Sequence, residues 1–470
     1  MEVKFGTSGL RGLVVDLTEA LVTDYTRAFL RCCQTGGAVH VGRDLRPSSP
    51  DIAQTVMVAV QGAGLTAIDA GVLPTPALAL EAMRCEHAAI MITGSHIPAD
   101  RNGLKFYTPS GEIGKDDEDA IKATLPAAQS EKTSAPGPRE IGAGSAAYIS
   151  RYVTAFGPTS LHGLRLGVYQ HSSVARDILP TILTAIGAAT VPLDRSDTFI
   201  PVDTEALDPA TGQKLAGWAA DHNLDAILST DGDADRPMLA DRNGQILPGD
   251  VLGVLTAQML GAEHICTPVS SNRMVQDLGF QSVSLTQIGS PYVIAAMHAR
   301  LSSDPAAKVA GYEANGGFLL GFTAQGPAED LPPLVTRDSV LPLLAPLYAA
   351  QRARTDLAGL RSQLPARFTA AGRLVEIDSA TSTAFIKTLI DHADLRAEFF
   401  APLGTEVDMD LTDGMRLHYE SNEVVHLRPS GNAPECRCYA EADSPARAQE
   451  IVSQFQKKLR DSKLAPHTPG

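Results

Sequence analysis

Short apolar runs alternate along the chain with longer stretches whose apolar positions recur at helical spacing. Residues 38–42 (AVHVG) predict a strand, 51–64 a helix, and 65–70 and 88–93 (AAIMIT) two more strands. Strands alternating with helices predict βαβ units and a largely parallel sheet. The same order returns twice. Residues 164–169 predict a strand, 173–186 a helix, 188–193 a strand, and 226–231 a strand running into an acidic loop. Then come strands at 264–269 and 282–287, a helix from about Arg273, a helix from Pro291 and a strand at 308–312. The three segments share a layout but no readable sequence repeat.

Two breaks interrupt this pattern. Residues 127–144, rich in Ala, Ser, Pro and Gly, predict a loose linker, and 362–369 a second break. Beyond it the texture changes to short strands at 416–419, 423–427 and 436–441, then an amphipathic helix over 444–458 and a frayed tail after Ser462. The expected limits are 1–140, 145–250 and 251–365 for three α/β domains with mixed sheets. A smaller C-terminal α+β domain is expected over 368–462.

Composition narrows the class. The 470 residues are 44% hydrophobic and 20% charged, as in ordinary globular proteins. A formal net charge of -15 argues against a nucleic-acid or anionic-membrane partner. It also means that any phosphate site must overturn the acidic average locally with placed Arg and Lys. Six cysteines show neither C-x-x-C nor zinc spacing and are expected to be reduced and mostly buried. The opening MEVKFGTSGLRG does not read as a signal peptide, and no apolar run approaches the roughly 20 residues of a membrane span. A cytoplasmic protein is expected.

Four loops follow apolar strands, where α/β sheets place ligands. Thr93-Gly94-Ser95-His96-Ile97-Pro98 presents a serine that is either a nucleophile or a helix cap, with Lys105 a few residues on. Asp231-Gly232-Asp233-Ala234-Asp235-Arg236 sets three carboxylates at alternate positions, on one side if the backbone stays extended. They repel one another unless a cation joins them. The EF-hand pattern fails, because Arg236 and Arg242 stand where Gly and Glu are required, whereas Mg²⁺ accepts few carboxylates plus phosphate or water. Gly311-Tyr312-Glu313-Ala314-Asn315-Gly316-Gly317 offers Glu and Asn to sugar hydroxyls, or a turn capped by Asn. Arg428-Pro429-Ser430-Gly431-Asn432-Ala433-Pro434 suits a phosphate nest, or a turn with a surface Arg.

Together with the opening Lys4-Phe5-Gly6-Thr7-Ser8-Gly9-Leu10-Arg11-Gly12, these loops resemble the α-D-phosphohexomutase superfamily, in particular its phosphomannomutase/phosphoglucomutase group. The loops match its phosphoserine, metal, sugar and phosphate loops in order. The resemblance implies four domains around a central cleft. It implies Ser95 as phosphoryl carrier and Mg²⁺ held by Asp231, Asp233, Asp235 and a phosphoryl oxygen on Ser95. Lys105 becomes an acid/base candidate, Arg11 and Arg236 neutralise the transferring group, and His96 supports the serine loop. Glu313 and Asn315 hold sugar hydroxyls, while Arg428, Ser430, Gly431, Asn432 and Arg437 grip the idle phosphate. The implied substrate is a hexose phosphate, mannose or glucose, interconverted between 6- and 1-phosphates through a bisphosphorylated sugar, with hexose 1,6-bisphosphate as activator. The chain is expected to act as a monomer or homodimer.

Three positions depart from the family pattern: Ile97 for Asn, Asn315 for Ser, and Glu435 for Lys. The alternatives are a phosphoglucosamine mutase or a phosphatase in which water accepts from phospho-Ser95.

Overall fold

The computed structural model describes residues 3–6, 8–128, 137–205, 208–375, 377–430 and 435–462. It forms two compact units. One holds Met1–Cys266 with Gly289–Arg361, the other Thr267–Ile288 with Ser362–Gly470.

In the first unit, Ala38–Arg43 pairs in parallel with both Thr66–Val72 and Ala88–Ile92. Ala88–Ile92 then pairs antiparallel with Arg101–Thr108, which pairs antiparallel with Leu10–Leu13. Val39, Val41, Ile90, Ile92, Leu104 and Phe106 are all buried in one core, and as alternate positions on their strands they line one face of the sheet. Each such side chain contributes about 1.5–3 kcal/mol by leaving water. A second sheet runs Ala189–Arg195, Arg165–His171, Ala226–Thr230, Pro237–Asp241, with the last pair antiparallel. In a third group Val309–Tyr312 lies parallel to His264–Cys266 and antiparallel to Phe318–Leu320.

Each sheet thus sends a strand into a hairpin, and the hairpin connection carries a candidate loop. Residues 93–100 join Ala88–Ile92 to Arg101–Thr108. Residues 231–236 join Ala226–Thr230 to Pro237–Asp241, and residues 313–317 join Val309–Tyr312 to Phe318–Leu320.

The second unit carries a five-stranded antiparallel sheet ordered Phe368–Val375, Glu435–Ala442, Val424–Pro429, Met415–Tyr419, Glu406–Asp410. Helix Pro445–Asp461 packs on it through Ala448, Ile451, Val452, Phe455 and Leu459, a spacing of three and four that fixes one buried face. Val424–Pro429 and Glu435–Ala442 pair antiparallel, and the fourth candidate segment lies between them in sequence.

Four expectations need correction. The helix over 173–186 shortens to Ile178–Ala185. The Ser173 hydroxyl accepts from the Ala175 N–H and bonds the Thr230 hydroxyl at 2.6 Å, diverting the backbone from a helix. The helix from Arg273 is a short 3-10 turn, Arg273–Asp277. Within 127–144, Arg139–Ile141 is not loose but an edge strand on Thr66–Val72; residues 129–136 lie outside the described residues, as does the tail from 463. The break expected at 362–369 does fall where the two units divide, at Arg361/Ser362, with only its last two residues in a strand from Phe368. Only Cys266, Cys436 and Cys438 of the six free cysteines are buried.

Candidate active site

Ser95 sits 1% exposed at the tip of its loop with φ +55°, a left-handed conformation costly for a residue with a side chain. What enforces it is a buried network that sequence reading missed. Asp44 follows the strand Ala38–Arg43 and accepts from the Arg46 N–H (3.0 Å), the Ser49 hydroxyl (2.6 Å) and the Thr93 hydroxyl (2.8 Å). Thr93 in turn accepts from the Ser95 N–H at 2.8 Å. Arg46 spends all five of its N–H groups. Nε donates to Asp44 (3.1 Å), Nη1 to the carbonyls of Pro98 (2.6 Å) and Arg101 (2.9 Å), and Nη2 to those of Ser95 (3.0 Å) and Ile97 (2.5 Å). The Phe199 ring covers the guanidinium at 4.2 Å. Gly94 is required beneath it, since a Cβ there would stand 2.6 Å from Arg46 Cζ. The signal was present as charged residues directly after an apolar strand, Gly42-Arg43-Asp44-Leu45-Arg46. Ile97 contributes through its carbonyl, so its departure from the family residue leaves the clamp intact.

The three aspartates do not alternate along an extended strand. The loop turns, with Ala234 at φ +59°, and curvature brings one oxygen of each carboxylate within 4.8 Å of the others. All three are fully buried. The Ser95 hydroxyl donates to Asp231 Oδ2 at 2.5 Å and lies 3.2 Å from His96 Nδ1. Lys105 Nζ donates to Asp233 Oδ2 (2.6 Å) and Asp235 Oδ2 (2.5 Å), and the Thr75 hydroxyl also donates to Asp233 Oδ2 (2.6 Å). Oδ1 of Asp233 and Oδ1 of Asp235 are buried without a hydrogen-bond partner. Burial, reinforced by Asp233 and Asp235, pushes the Asp231 carboxyl well above the usual carboxylate range. Lys105 and the Thr75 hydroxyl outweigh burial at Asp233 and hold its carboxyl below that range. Clustered carboxylate oxygens with orphaned, buried atoms are the donor set of a hard divalent cation. This triad could therefore hold a metal.

Cationic side chains surround the triad. Arg337, a second residue missed in the sequence, donates to Ser8 Oγ at 2.9 Å and pairs with Asp235 (2.8 Å) and Glu313 (3.5 Å). Nothing in its local pattern, Thr336-Arg337-Asp338, marks it beyond a buried strand end. The Arg236 N–H donates to Asp231 Oδ1 at 3.2 Å, and its guanidinium lies 4.0 Å from Asp235. Arg11 stands opposite Gly103 in the sheet, two positions from Lys105. Desolvation and the neighbouring charges of Arg236 and Arg337 lower its pKa to about 10.

Glu313 is buried, and its carboxyl is pushed up by burial against the pull of Arg337 and Arg236. Its Oε2 has no hydrogen-bond partner. Asn315 accepts from the Gly317 N–H at 2.9 Å, so its side-chain oxygen caps the turn.

In the second unit, Arg428 is buried and lies 3.3 Å from Asp413. Ser430 donates its N–H to the Glu435 carbonyl at 2.9 Å, while its own carbonyl accepts from the Ser379 hydroxyl at 3.0 Å. Glu435 holds the Arg437 guanidinium at 2.9 Å, which ties up a cation expected to face phosphate. Gly431 and Asn432 lie outside the described residues.

Residues 2–132 match the family model described as phosphoglucomutase/phosphomannomutase, alpha/beta/alpha domain I. Residues 146–244 match domain II, and 394–458 match the C-terminal domain. A phosphomannomutase of Sinorhizobium fredii (strain NBRC 101917 / NGR234) is 45% identical, with 98% of this chain and 100% of that one covered. The chain belongs to the phosphoglucomutase/phosphomannomutase family of the α-D-phosphohexomutase superfamily. A phosphoglucosamine mutase of Thermobifida fusca (strain YX) is only 28% identical, over 97% of this chain and 98% of that one. A crystal structure of a phosphoglucomutase/phosphomannomutase family protein from Burkholderia thailandensis superposes with a TM-score of 0.76 at 20% identity. It covers 97% of each chain and bears on the fold. No helix among the described residues is long and apolar enough to cross a membrane.

Proposed function

We propose that the chain is a phosphohexomutase that interconverts hexose 6-phosphate and hexose 1-phosphate, with mannose or glucose as the sugar. One observation carries this reading. Ser95 Oγ is buried, held in a strained turn, and hydrogen-bonded at 2.5 Å to one of three converging aspartates. A capping serine needs none of that. The 45% identity to a phosphomannomutase, against 28% to a phosphoglucosamine mutase, favours mannose and glucose over glucosamine.

In the proposed cycle Ser95 carries a phosphoryl group. The P–O bond to Ser95 Oγ breaks as one forms to the sugar hydroxyl, whose proton passes to a base. Lys105 is the acid/base candidate: as the neutral amine it takes that proton, and it returns it to the sugar oxygen freed in the second transfer. The bisphosphorylated sugar then turns over and returns its other phosphate to Ser95. Arg11 and Arg236 steady the charge of the transferring group, because phosphoryl transfer is mostly positioning and neutralisation. Asp231, Asp233 and Asp235 would hold Mg²⁺, which supplies further neutralisation at that group. Glu313, whose Oε2 accepts no hydrogen bond and lies 3.5 Å from Arg337, holds sugar hydroxyls, with Asn315 shaping the turn. Arg428, Ser430, Gly431, Asn432 and Arg437 are assigned to the idle phosphate, as the family resemblance implies. Hexose 1,6-bisphosphate would restore the phosphoserine whenever the intermediate escapes. The four domain limits given above belong to the same proposal.

The test is a coupled assay with mannose, glucose and glucosamine 1-phosphates, Mg²⁺ and catalytic hexose 1,6-bisphosphate. Intact-protein mass is followed in parallel. Wild type should isomerise the mannose or glucose phosphate and carry one phosphate on Ser95. Ser95→Ala should lose both. Near-wild-type turnover in that variant would overturn the assignment. Stoichiometric release of inorganic phosphate without isomerised sugar would point to a phosphatase.

A further inference from the structure

A second group of metal-type donors lies at the far end of a helix that starts at the aspartate loop. Helix Thr75–Arg84 begins with Thr75, whose N–H donates to the Asp233 carbonyl at 2.9 Å and whose hydroxyl donates to the Asp233 carboxylate at 2.6 Å. The helix runs 10 residues and stops at Cys85. Its end is a Schellman turn: the Glu86 N–H donates to the Met83 carbonyl (3.1 Å) and the His87 N–H to the Ala82 carbonyl (2.9 Å). Glu86, rather than the usual glycine, takes the left-handed position at φ +56°. This rigid turn gathers Cys85 and His87 beside His40 of the strand Ala38–Arg43. One ligand atom from each of the three lies within 4.8 Å of the others. His40 Nε2 and His87 Nδ1 share a hydrogen bond at 3.2 Å, and the Cys85 thiol donates to Glu81 Oε1 at 3.7 Å, one turn back on the helix.

We propose that His40, Cys85 and His87 form a second metal site, built for Zn²⁺, with Glu81 as the fourth ligand. Zinc bonds of about 2.0–2.1 Å to nitrogen and about 2.3 Å to sulfur, in a tetrahedron, set N···N near ~3.3 Å and S···N near ~3.6 Å. The two imidazoles already stand at that separation. Thiolate and imidazole donors select a borderline-soft ion, whereas the aspartate loop offers only hard oxygens. Cys85 and His87 are partly exposed and give the ion an entry path. Binding expels the Cys85 thiol proton to solvent. Arg84, its side chain 62% exposed, holds both oxygens of Glu81 (Nη2 to Oε1 at 2.8 Å, Nε to Oε2 at 3.0 Å), and metal binding by Glu81 replaces part of this pair.

The test uses the full chain, stripped with a chelator and returned to excess Mg²⁺ so that hard-oxygen sites are satisfied, then titrated with Co²⁺. One equivalent should give a sulfur-to-cobalt charge-transfer absorption and the intense visible bands of a four-coordinate ion. One equivalent of Zn²⁺ should abolish both. Cys85→Ser should remove the charge-transfer absorption, and His87→Gln should weaken Co²⁺ binding roughly 10-fold or more. The Cys32→Ser/Cys33→Ser double variant should leave the spectrum unchanged. No charge-transfer absorption in wild type overturns the proposal. So does one that survives Cys85→Ser and disappears in the double variant. Should Cys85→Ser fail to fold, His87→Gln on the partly exposed turn decides alone, and wild-type affinity there overturns the site.

Discussion

Arg46→Lys isolates the clamp that holds the serine loop. The arginine satisfies four backbone carbonyls of residues 95–101 and one oxygen of Asp44 with five N–H groups. Lysine keeps the charge but offers three donors, so at least two acceptors lose their partner. Each costs about 1–3 kcal/mol, or roughly 2–6 kcal/mol for the pair. That cost falls on the one loop whose conformation is already strained at Ser95. The loop can recover it by drifting from its present geometry, and a displacement of ~1 Å at a reacting group costs about 100-fold in rate. The expected result is a fall in kcat of about two orders of magnitude. KM should move little, since Glu313 and Arg428 are untouched. The assay is steady-state turnover of mannose 1-phosphate, with thermal melting to show that the fold persists. A melting temperature below wild type is expected, with a single cooperative loss of structure in the first unit. A folded variant with kcat within about twofold of wild type would refute the argument, because the carbonyls would then need no fork to stay in place.

Gly94→Ala attacks the same clamp from the other side, since its Cβ would meet Arg46 Cζ at 2.6 Å. It should lower kcat in wild type and add little in the Arg46→Lys background, which a double-mutant cycle measures. Asp233→Asn removes charge from a carboxylate whose Oδ1 has no partner. The Mg²⁺ concentration for half-maximal activity should rise roughly 10-fold or more, and equal activity in EDTA and Mg²⁺ would remove the metal from the argument. His426 is buried against Tyr439, bonds the Asp413 carbonyl at 2.5 Å, and has its pKa lowered by burial to about 4. The unfolded chain binds this proton near pH 6.5, so neutral His426 contributes stability above that pH and loses it between about 6.5 and 4. Urea unfolding across that window should show stability falling with acid, with a shallower fall in His426→Gln.

What the sequence made legible follows from where its chemistry is carried. Ser95, Asp231, Asp233, Asp235 and Glu313 sit in connections between strands, and a loop exposes its purpose in its residue types: glycine where the backbone must turn, carboxylates where no core would tolerate them. Arg46 and Arg337 carry comparable weight and were missed, because each acts through partners far along the chain. Arg46 bonds carbonyls some fifty residues away, and Arg337 reaches Ser8 and Asp235. A buried guanidinium declares itself only when its acceptors are in place. The same logic separates the correct strands from the shortened helix. Strand 226–230 opens on the apolar run Ala-Ile-Leu, which needs no knowledge of its neighbours, whereas the helix start at 173–177 failed because Ser173 found a partner in Thr230, fifty-seven residues on. His40, Cys85 and His87 extend the point to metals. Counting cysteine spacings found no zinc pattern, since the third ligand comes from a neighbouring strand and only sheet pairing brings it within 3.2 Å of His87. Motifs report ligands that one loop supplies; sites assembled by a sheet must be read from its register.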